Sequence, residues 1–124
     1  MNDAPRVLVV DDDVSVSEML VRSLARHGFA TEAVPPGDPA WQRIEAGDFE
    51  AAVMDLVMPG HSGVDLVRVL RERFPDVPVA ILTGYANSPL IKQAQEAGAR
   101  VFSKPVAIEE LVDYLEAELP RRLA

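Results

Sequence analysis

The sequence predicts an α/β protein built on a doubly wound parallel sheet, in which each of five strands is followed by a helix and the strand order is 2-1-3-4-5. Two observations lead to this prediction. Five short apolar runs, rich in Val, Ile, Leu and Ala, alternate along the chain with stretches whose apolar residues recur at helical spacing. Such alternation is typical of a parallel sheet with helices packed on both faces.

The strands are predicted where apolar runs are bounded by acids, proline or glycine. The third run begins after Glu50 and ends near Asp55, and Pro59-Gly60 cannot continue it. Its continuous apolar character fits a strand that is buried on both faces. The predicted strand ranges are 6–10, 29–34, 51–55, 77–83 and 100–103.

Capping signals indicate where the helices begin and end. Ser15 and Glu18 form a capping-box pattern for the first helix, and Asp38 is expected to cap the second, with Pro39 at its first position. Ser88 or the residue before it begins the fourth helix, and glycine ends the first and fourth helices. Together with the strands, the helices give the flavodoxin-like (βα)5 arrangement. The apolar residues that mark the third and fifth helices are Leu66, Val67, Leu70, Phe74, Ile108, Leu111, Val112, Leu115 and Leu119.

Length and composition limit the classes of protein that fit. At 124 residues and 13.5 kDa the chain has room for one domain, expected to span 1–124 with a core from about 6 to 119. No apolar run reaches the roughly 18 residues that a membrane-spanning helix needs. The amino end has no pattern of a signal peptide. We therefore expect a cytoplasmic protein that does not bind a membrane.

Cysteine content and charge exclude further classes. The chain has no Cys, which excludes disulfides, thiolate catalysis and zinc-thiolate sites, so a metal would be held by oxygen or imidazole. The formal net charge of -8 argues against direct binding of nucleic acid, because phosphates require clustered Lys and Arg.

Five polar residues lie at the carboxyl ends of the predicted strands. Asp11 and Asp12 follow the first strand, Asp55 ends the third, Thr83 ends the fourth and Lys104 follows the fifth. In a sheet of order 2-1-3-4-5, strands one and three are neighbours where the strand order reverses, and open α/β sheets bind ligands at that point. We therefore expect these five side chains to form one site.

The acids of this predicted site require a counter-charge. Two carboxylates about 4 Å apart repel each other by roughly 4 kcal/mol at an effective dielectric of about 20. Few carboxylate ligands, completed by water, favour Mg²⁺ over Ca²⁺. The expected ligands are Asp11, Asp12, Asp55 and the backbone carbonyl of Val57.

The remaining residues of the site point to phosphoryl transfer. An ammonium and a hydroxyl are the groups that contact the other oxygens of an incoming phosphoryl group, and Lys104 and Thr83 supply them. Asp55 would attack phosphorus in line, and an acyl phosphate would result.

The residues resemble those of a known family, the response-regulator receiver domains of two-component signalling, of which the CheY-like chemotaxis regulators are typical. The resemblance extends from Val7 to about Leu119, and its force lies in the combination of marks at the expected strand ends. Those marks are Asp11-Asp12, Asp55 followed by Met58-Pro59 and Gly63, Thr83, and Lys104-Pro105.

The resemblance implies a function and a partner. Asp55 would accept a phosphoryl group from a histidine kinase or a histidine phosphotransfer protein, so the chain would be a signalling phosphoacceptor and not an enzyme for other substrates. The Lys104-Pro105 peptide would be cis, and Thr83 would move toward the phosphoryl group. The fourth helix, fifth strand and fifth helix would bind an output domain or a second copy, with Leu90, Val101 and Tyr114 on that face. The chain would be a stand-alone receiver or the amino-terminal piece of a longer regulator.

Three positions depart from the commoner family pattern. Val101 stands where the family often has an aromatic residue that moves with the threonine, and Phe102 should point to the opposite face of its strand. Val57 and Tyr85, two residues after the acceptor and the threonine, replace polar groups that position water. We therefore expect slow self-dephosphorylation.

Two other functions fit parts of the pattern. A flavodoxin-like fold can bind a small molecule, although no glycine- or hydroxyl-rich phosphate loop follows the first strand. An aspartyl-phosphate phosphatase would place its acids at Asp11 and Asp13, but Asp13 is better explained as a helix cap. Other polar residues fit an ordinary solvated surface, and these are His27, His61, Arg68, Arg71 and Arg73.

Overall fold

Five parallel strands form one sheet in the computed structural model, which describes residues 4–58 and 61–119. The strand order is β2-β1-β3-β4-β5, so the predicted flavodoxin-like sheet is confirmed. The strands are β1 (Arg6–Val10), β2 (Ala30–Val34), β3 (Ala51–Asp55), β4 (Val79–Thr83) and β5 (Arg100–Ser103). The helices are α1 (Val14–Arg26), α2 (Asp38–Ala46), α3 (Gly63–Arg73), α4 (Pro89–Glu96) and α5 (Ile108–Glu118).

A short antiparallel pair, Val57–Met58 with His61–Ser62, lies between β3 and α3. The turn predicted at Pro59-Gly60 lies outside the described residues, as does the side chain of His61. None of the described helices is long and apolar enough to cross a membrane.

The sheet separates two clusters of buried side chains. Because successive strand residues point to opposite faces, Leu8, Met54 and Ile81 pack under α2, α3 and α4, whereas their neighbours in the strands pack under α1 and α5. β4 is buried along its whole length, as expected of a central strand covered on both faces. Each buried Leu or Ile contributes about 1.5–3 kcal/mol to stability, so both clusters hold the sheet in place.

β5 divides its two central side chains between these clusters. Val101 packs against the cluster under α4, while Phe102 lies in the cluster under α5, which confirms that the two point to opposite faces. The Phe102 ring meets the Tyr114 ring edge to face, with centroids 5.8 Å apart. The guanidinium of Arg100 covers both rings, at 5.4 Å and 5.8 Å from their centroids.

Two predicted helix caps are wrong by one or two residues. α1 begins at Val14, so Asp13 is its N-cap: Asp13 Oδ1 accepts hydrogen bonds from the backbone N–H groups of Ser15 (2.9 Å) and Val16 (3.3 Å). The predicted Ser15–Glu18 capping box therefore does not form, and the cap prediction for Asp13 is confirmed. α2 is capped by Gly37, and Asp38 is already its first residue. The carboxylate of Asp38 lies in the first turn of α2, where the helix dipole favours negative charge.

Arg71 is not a solvated surface residue, contrary to the sequence prediction. Its guanidinium donates hydrogen bonds to three backbone carbonyls, those of Pro75 (3.1 Å), Val77 and Gly98 (2.9 Å). It thereby connects the end of α3 to the approach of β4 and to the turn before β5. The exposed Arg68 of the same helix makes no comparable set of contacts among the described residues.

We expect Arg71→Ala to lower the free energy of unfolding by about 2 kcal/mol, because hydrogen bonds from a charged donor are lost and carbonyl groups lose their partners. Urea denaturation followed by circular dichroism measures the change. Arg68→Ala, a matched change on the exposed side of α3, should alter stability by no more than about 0.5 kcal/mol. Equal effects of the two variants would contradict the assignment.

Candidate functional site

Three carboxylates converge where β1 and β3 end side by side. The pairing of Val10 with Met54 places Asp11 and Asp12 next to Asp55. Ligand oxygens of the three side chains lie within 4.8 Å of one another. Asp11 is 6% exposed, whereas Asp12 is open to solvent. The structure thus brings together the three acids that the sequence predicted at this sheet edge.

Lys104 reaches the same carboxylates from the end of β5. Its Nζ lies 3.2 Å from Asp11 Oδ2 and 3.2 Å from Asp55 Oδ1. The backbone N–H of Lys104 donates to the carbonyl of Thr83 at 2.8 Å, which fixes where the side chain starts. The Lys104–Pro105 peptide bond is cis, as expected. One ammonium therefore faces two acids and stands beside a third.

These charges shift the pKa of both partners. Burial raises the pKa of the Asp55 carboxyl above its ordinary value, and the negative charge of Asp11 acts in the same direction; Lys104 and a backbone N–H oppose the shift. Burial by itself lowers the pKa of the Lys104 ammonium, but the hydrogen bond to Asp11 and the charges of Asp55 and Asp11 raise it overall. Lys104 is therefore a fixed cation between Asp11 and Asp55.

Backbone N–H groups orient the acids. The N–H of Leu56 donates to Asp55 Oδ1 at 2.9 Å, and the N–H of Asp13 donates to Asp11 Oδ1 at 2.8 Å. The amide of Leu56 also donates to the carbonyl of Leu82 at 3.0 Å, so it links β3, β4 and the carboxylate. This backbone contact was not predicted, because no side-chain pattern in the sequence reports it.

Thr83 ends β4 and is only 3% exposed. β4 lies next to β3, with Leu82 opposite Asp55, so Thr83 follows directly at the same sheet edge. Its Oγ1 accepts a hydrogen bond from the N–H of Tyr85 at 2.9 Å. Because an N–H occupies an acceptor position of this hydroxyl, its own proton is free to donate elsewhere.

The donor set fits a hard divalent cation. Three carboxylates meet, one of them open to solvent, and in the described part of the chain Lys104 is the only cation that forms an ion pair with any of them. Carboxylate oxygens are the ligands that such cations prefer, and a cation would relieve the repulsion by Asp11 that adds to the effect of burial on the Asp55 pKa.

Two further residues do not behave as parts of this cluster. Asp13 uses its carboxylate to cap α1, which leaves Asp11 without the second acid that the phosphatase alternative requires. His27 is the C-cap residue of α1, and its Nδ1 lies 2.9 Å from the carbonyl of Ser23.

The backbone carbonyl of Val57 as a metal ligand stays a prediction. The residue itself is 45% exposed.

Comparison with known proteins decides the family. Residues 7–116 match the response regulator receiver domain, which is most of the chain. The chain belongs to this family. It is a receiver domain of the kind found in two-component response regulators, and the resemblance inferred from the sequence is confirmed.

The curated relatives of this receiver domain are longer proteins. Response regulator MprA of Mycolicibacterium vanbaalenii is 37% identical over 117 residues, which cover 94% of this chain and 51% of the relative. The chain thus spans about half the length of the curated relatives it matches.

Solved structures of receiver domains have the same fold. The receiver domain of the Francisella response regulator 1452 is 26% identical, with a TM-score of 0.82 over 92% of this chain and 95% of that one. A response regulator protein from Burkholderia pseudomallei, described with a phosphorylated aspartic acid, a calcium ion and citrate, is 32% identical with a TM-score of 0.82. That match covers 90% of this chain and 66% of the other.

Proposed function

We propose that this receiver domain accepts a phosphoryl group on Asp55 from a histidine kinase or a histidine phosphotransfer protein, in a reaction that depends on Mg²⁺. One observation carries the proposal. The Asp55 carboxylate lies 3.2 Å from the Lys104 ammonium and shares a cluster with Asp11 and Asp12, so a nucleophile, a fixed cation and a metal-binding pair occupy one sheet edge.

Each residue has a distinct part in the proposed transfer. A carboxylate oxygen of Asp55 forms a bond to phosphorus while the bond between phosphorus and the donor atom breaks, and the donor leaves with that electron pair. Lys104 stabilises the negative charge on the transferred oxygens, since its ammonium is held by two acids. The buried hydroxyl of Thr83 donates to a phosphoryl oxygen once the group is attached.

Asp11, Asp12, Asp55 and the backbone carbonyl of Val57 would hold the Mg²⁺ ion. When bound, the ion neutralises charge on the phosphoryl oxygens and lowers the barrier to attack. The Burkholderia pseudomallei relative, described with a phosphorylated aspartic acid and a calcium ion, supports a divalent cation beside a phosphoaspartate in this family. We infer Mg²⁺ for this chain because it suits a site with few protein ligands and one side exposed to solvent at Asp12.

We propose a signalling phosphoacceptor of the cytoplasm that catalyses only its own phosphorylation and dephosphorylation, forms one receiver domain over 1–124, and binds neither nucleic acid nor membrane itself. MprA is about twice as long as this chain, which leaves room for an output segment in longer regulators of this type. The face formed by α4, β5 and α5 would contact that output or a second copy.

Incubation with acetyl phosphate and Mg²⁺ tests the proposal. Intact mass should reveal one phosphoryl adduct, peptide mapping should place it on Asp55, and chelation of the metal by EDTA before the reaction should prevent it. Label on Asp11, or no adduct in the presence of Mg²⁺, would overturn the proposed function.

Val57 places an apolar side chain two residues after the proposed acceptor, where a polar group could position hydrolytic water. Val57 is 45% exposed, Tyr85 is 65% exposed, and both line a cavity of about 480 Å³ with Ala86, Asn87 and Ser88. An apolar isopropyl group cannot hydrogen-bond an attacking water, so the aspartyl phosphate should hydrolyse slowly.

We expect Val57→Asn to shorten the lifetime of the aspartyl phosphate by about tenfold, because an amide can orient water toward phosphorus. The decay of the adduct after removal of acetyl phosphate measures it by intact mass. Val14→Asn is the matched control, because this valine is also exposed but belongs to α1. An unchanged or longer lifetime in Val57→Asn would count against this account of slow hydrolysis.

A further inference from the structure

Gly63, the first residue of α3, lies against the backbone of the proposed acceptor. A Cβ atom at this position would be 2.4 Å from the carbonyl oxygen of Asp55, 3.3 Å from its carbonyl carbon and 3.1 Å from Cδ1 of Ile81. Separations below 3.0 Å do not occur for real Cβ atoms, and the nearest atom belongs to the backbone, so it cannot rotate away.

The glycine is required here by space and not by backbone conformation. Its φ is outside the positive range that Gly28, Gly37, Gly47 and Gly98 adopt. Alanine has a higher helix propensity than glycine, so local structure alone would favour a side chain at the start of α3. The close contact with Asp55 explains why this position has none.

Two hydrogen bonds connect Gly63 with the Asp55 carboxylate. The N–H of Gly63 donates to the carbonyl of Leu56 at 2.8 Å. The N–H of Leu56 in turn donates to Asp55 Oδ1 at 2.9 Å and to the carbonyl of Leu82 at 3.0 Å. The Asp55 carbonyl that a Cβ at Gly63 would meet belongs to the same peptide unit as this Leu56 N–H, so a shift of the α3 start would displace the group that orients the carboxylate.

We propose that Gly63 is a positioning residue for phosphoryl transfer: by letting α3 begin in contact with the Asp55 backbone, it fixes the Leu56 amide that aims the Asp55 carboxylate. The inference rests on the proposed role of Asp55 as acceptor. A misplacement of an attacking group by about 1 Å can slow a reaction by about a hundredfold, so a small displacement here has a measurable effect.

The test compares Gly63→Ala with wild type and with Gly84→Ala. Gly84 is a suitable control because no atom lies within 4 Å of its added Cβ and its φ is not positive. The rate of adduct formation is measured at fixed acetyl phosphate and saturating Mg²⁺ at low temperature, and folding is checked by circular dichroism and thermal melting. Gly63→Ala should react at least about tenfold more slowly than wild type, whereas Gly84→Ala should match it.

A second variant separates positioning from stability. Ile81→Val removes the Cδ1 atom that the new methyl would meet, so Gly63→Ala/Ile81→Val should regain part of the lost melting temperature. The overlap with the Asp55 carbonyl remains in the double variant, and its reaction rate should therefore stay low. Ile81→Val alone should lower the melting temperature slightly and react at the wild-type rate.

Three results would overturn the positioning role of Gly63. The first is a wild-type rate in Gly63→Ala, and the second is recovery of the rate together with stability in the double variant. The third is failure of both Gly63→Ala and Gly63→Ala/Ile81→Val to fold, because the contact would then maintain the fold and not the aim of Asp55. If wild type and Gly84→Ala also fail to react on Asp55, the proposed function itself is wrong and this inference falls with it.

Discussion

Asp55→Asn should abolish the phosphoryl adduct that acetyl phosphate and Mg²⁺ produce. An amide has nearly the shape of the carboxylate but is not a nucleophile at phosphorus, so no acyl phosphate forms. Intact mass after the incubation that labels wild type should find unmodified protein. The fold should persist, because the substitution removes one of three clustered negative charges and burial already raises the pKa of this carboxyl.

Asp113→Asn is the matched control for this experiment. Asp113 is an exposed acid of α5, so the same chemical change there should leave adduct formation at the wild-type level. Persistence of the adduct in Asp55→Asn would contradict the assignment of the acceptor. Its location on Asp11 would favour the phosphatase alternative instead.

Lys104→Met should slow adduct formation by about 10²–10³-fold at saturating Mg²⁺, which is the scale of losing one preorganised charge that stabilises a transition state. Methionine retains much of the length of lysine and removes only the ammonium that lies 3.2 Å from both Asp11 and Asp55. The initial rate of adduct formation, followed by intact mass, is the measurement.

Two further observations make the lysine experiment specific. Lys92→Met, on the exposed side of α4, should react at the wild-type rate. Mg²⁺ titration by calorimetry should find that Lys104→Met still binds the ion, because the carboxylates remain and have lost a competing cation. A wild-type reaction rate in Lys104→Met would show that the ammonium does not stabilise the transfer.

The sheet and the site's side chains could be predicted because periodic and positional signals specify them. Apolar runs located the strands, and the order 2-1-3-4-5 placed Asp11 beside Asp55 and brought Lys104 to both. Those inferences require only that parallel strands end at the same edge of the sheet. The start of β4 was predicted two residues too early, but this error did not change which side chains were expected to meet.

What the sequence did not predict depends on backbone geometry. The Leu56 amide that orients Asp55 has no side-chain signal, and the space that excludes a Cβ at Gly63 exists only once α3 is docked. The prediction that Arg71 is solvated was wrong because helical spacing does not show whether a long cationic side chain extends into solvent. The side chain instead folds back onto carbonyl groups. The predicted Ser15–Glu18 capping box was wrong because Asp13 and Ser15 are both good capping residues, and the helix begins directly after Asp13.

The division of the core by the sheet has a consequence for how such a domain can diversify. α1 and α5 rest on one cluster, while α2, α3 and α4 rest on the other, and the strands between them keep the two sets of side chains from sharing contacts. Volume changes in one layer should therefore add to changes in the other with little interaction energy. A docking surface on one side can consequently be rebuilt while the opposite layer, and the reactive edge between them, retains its geometry.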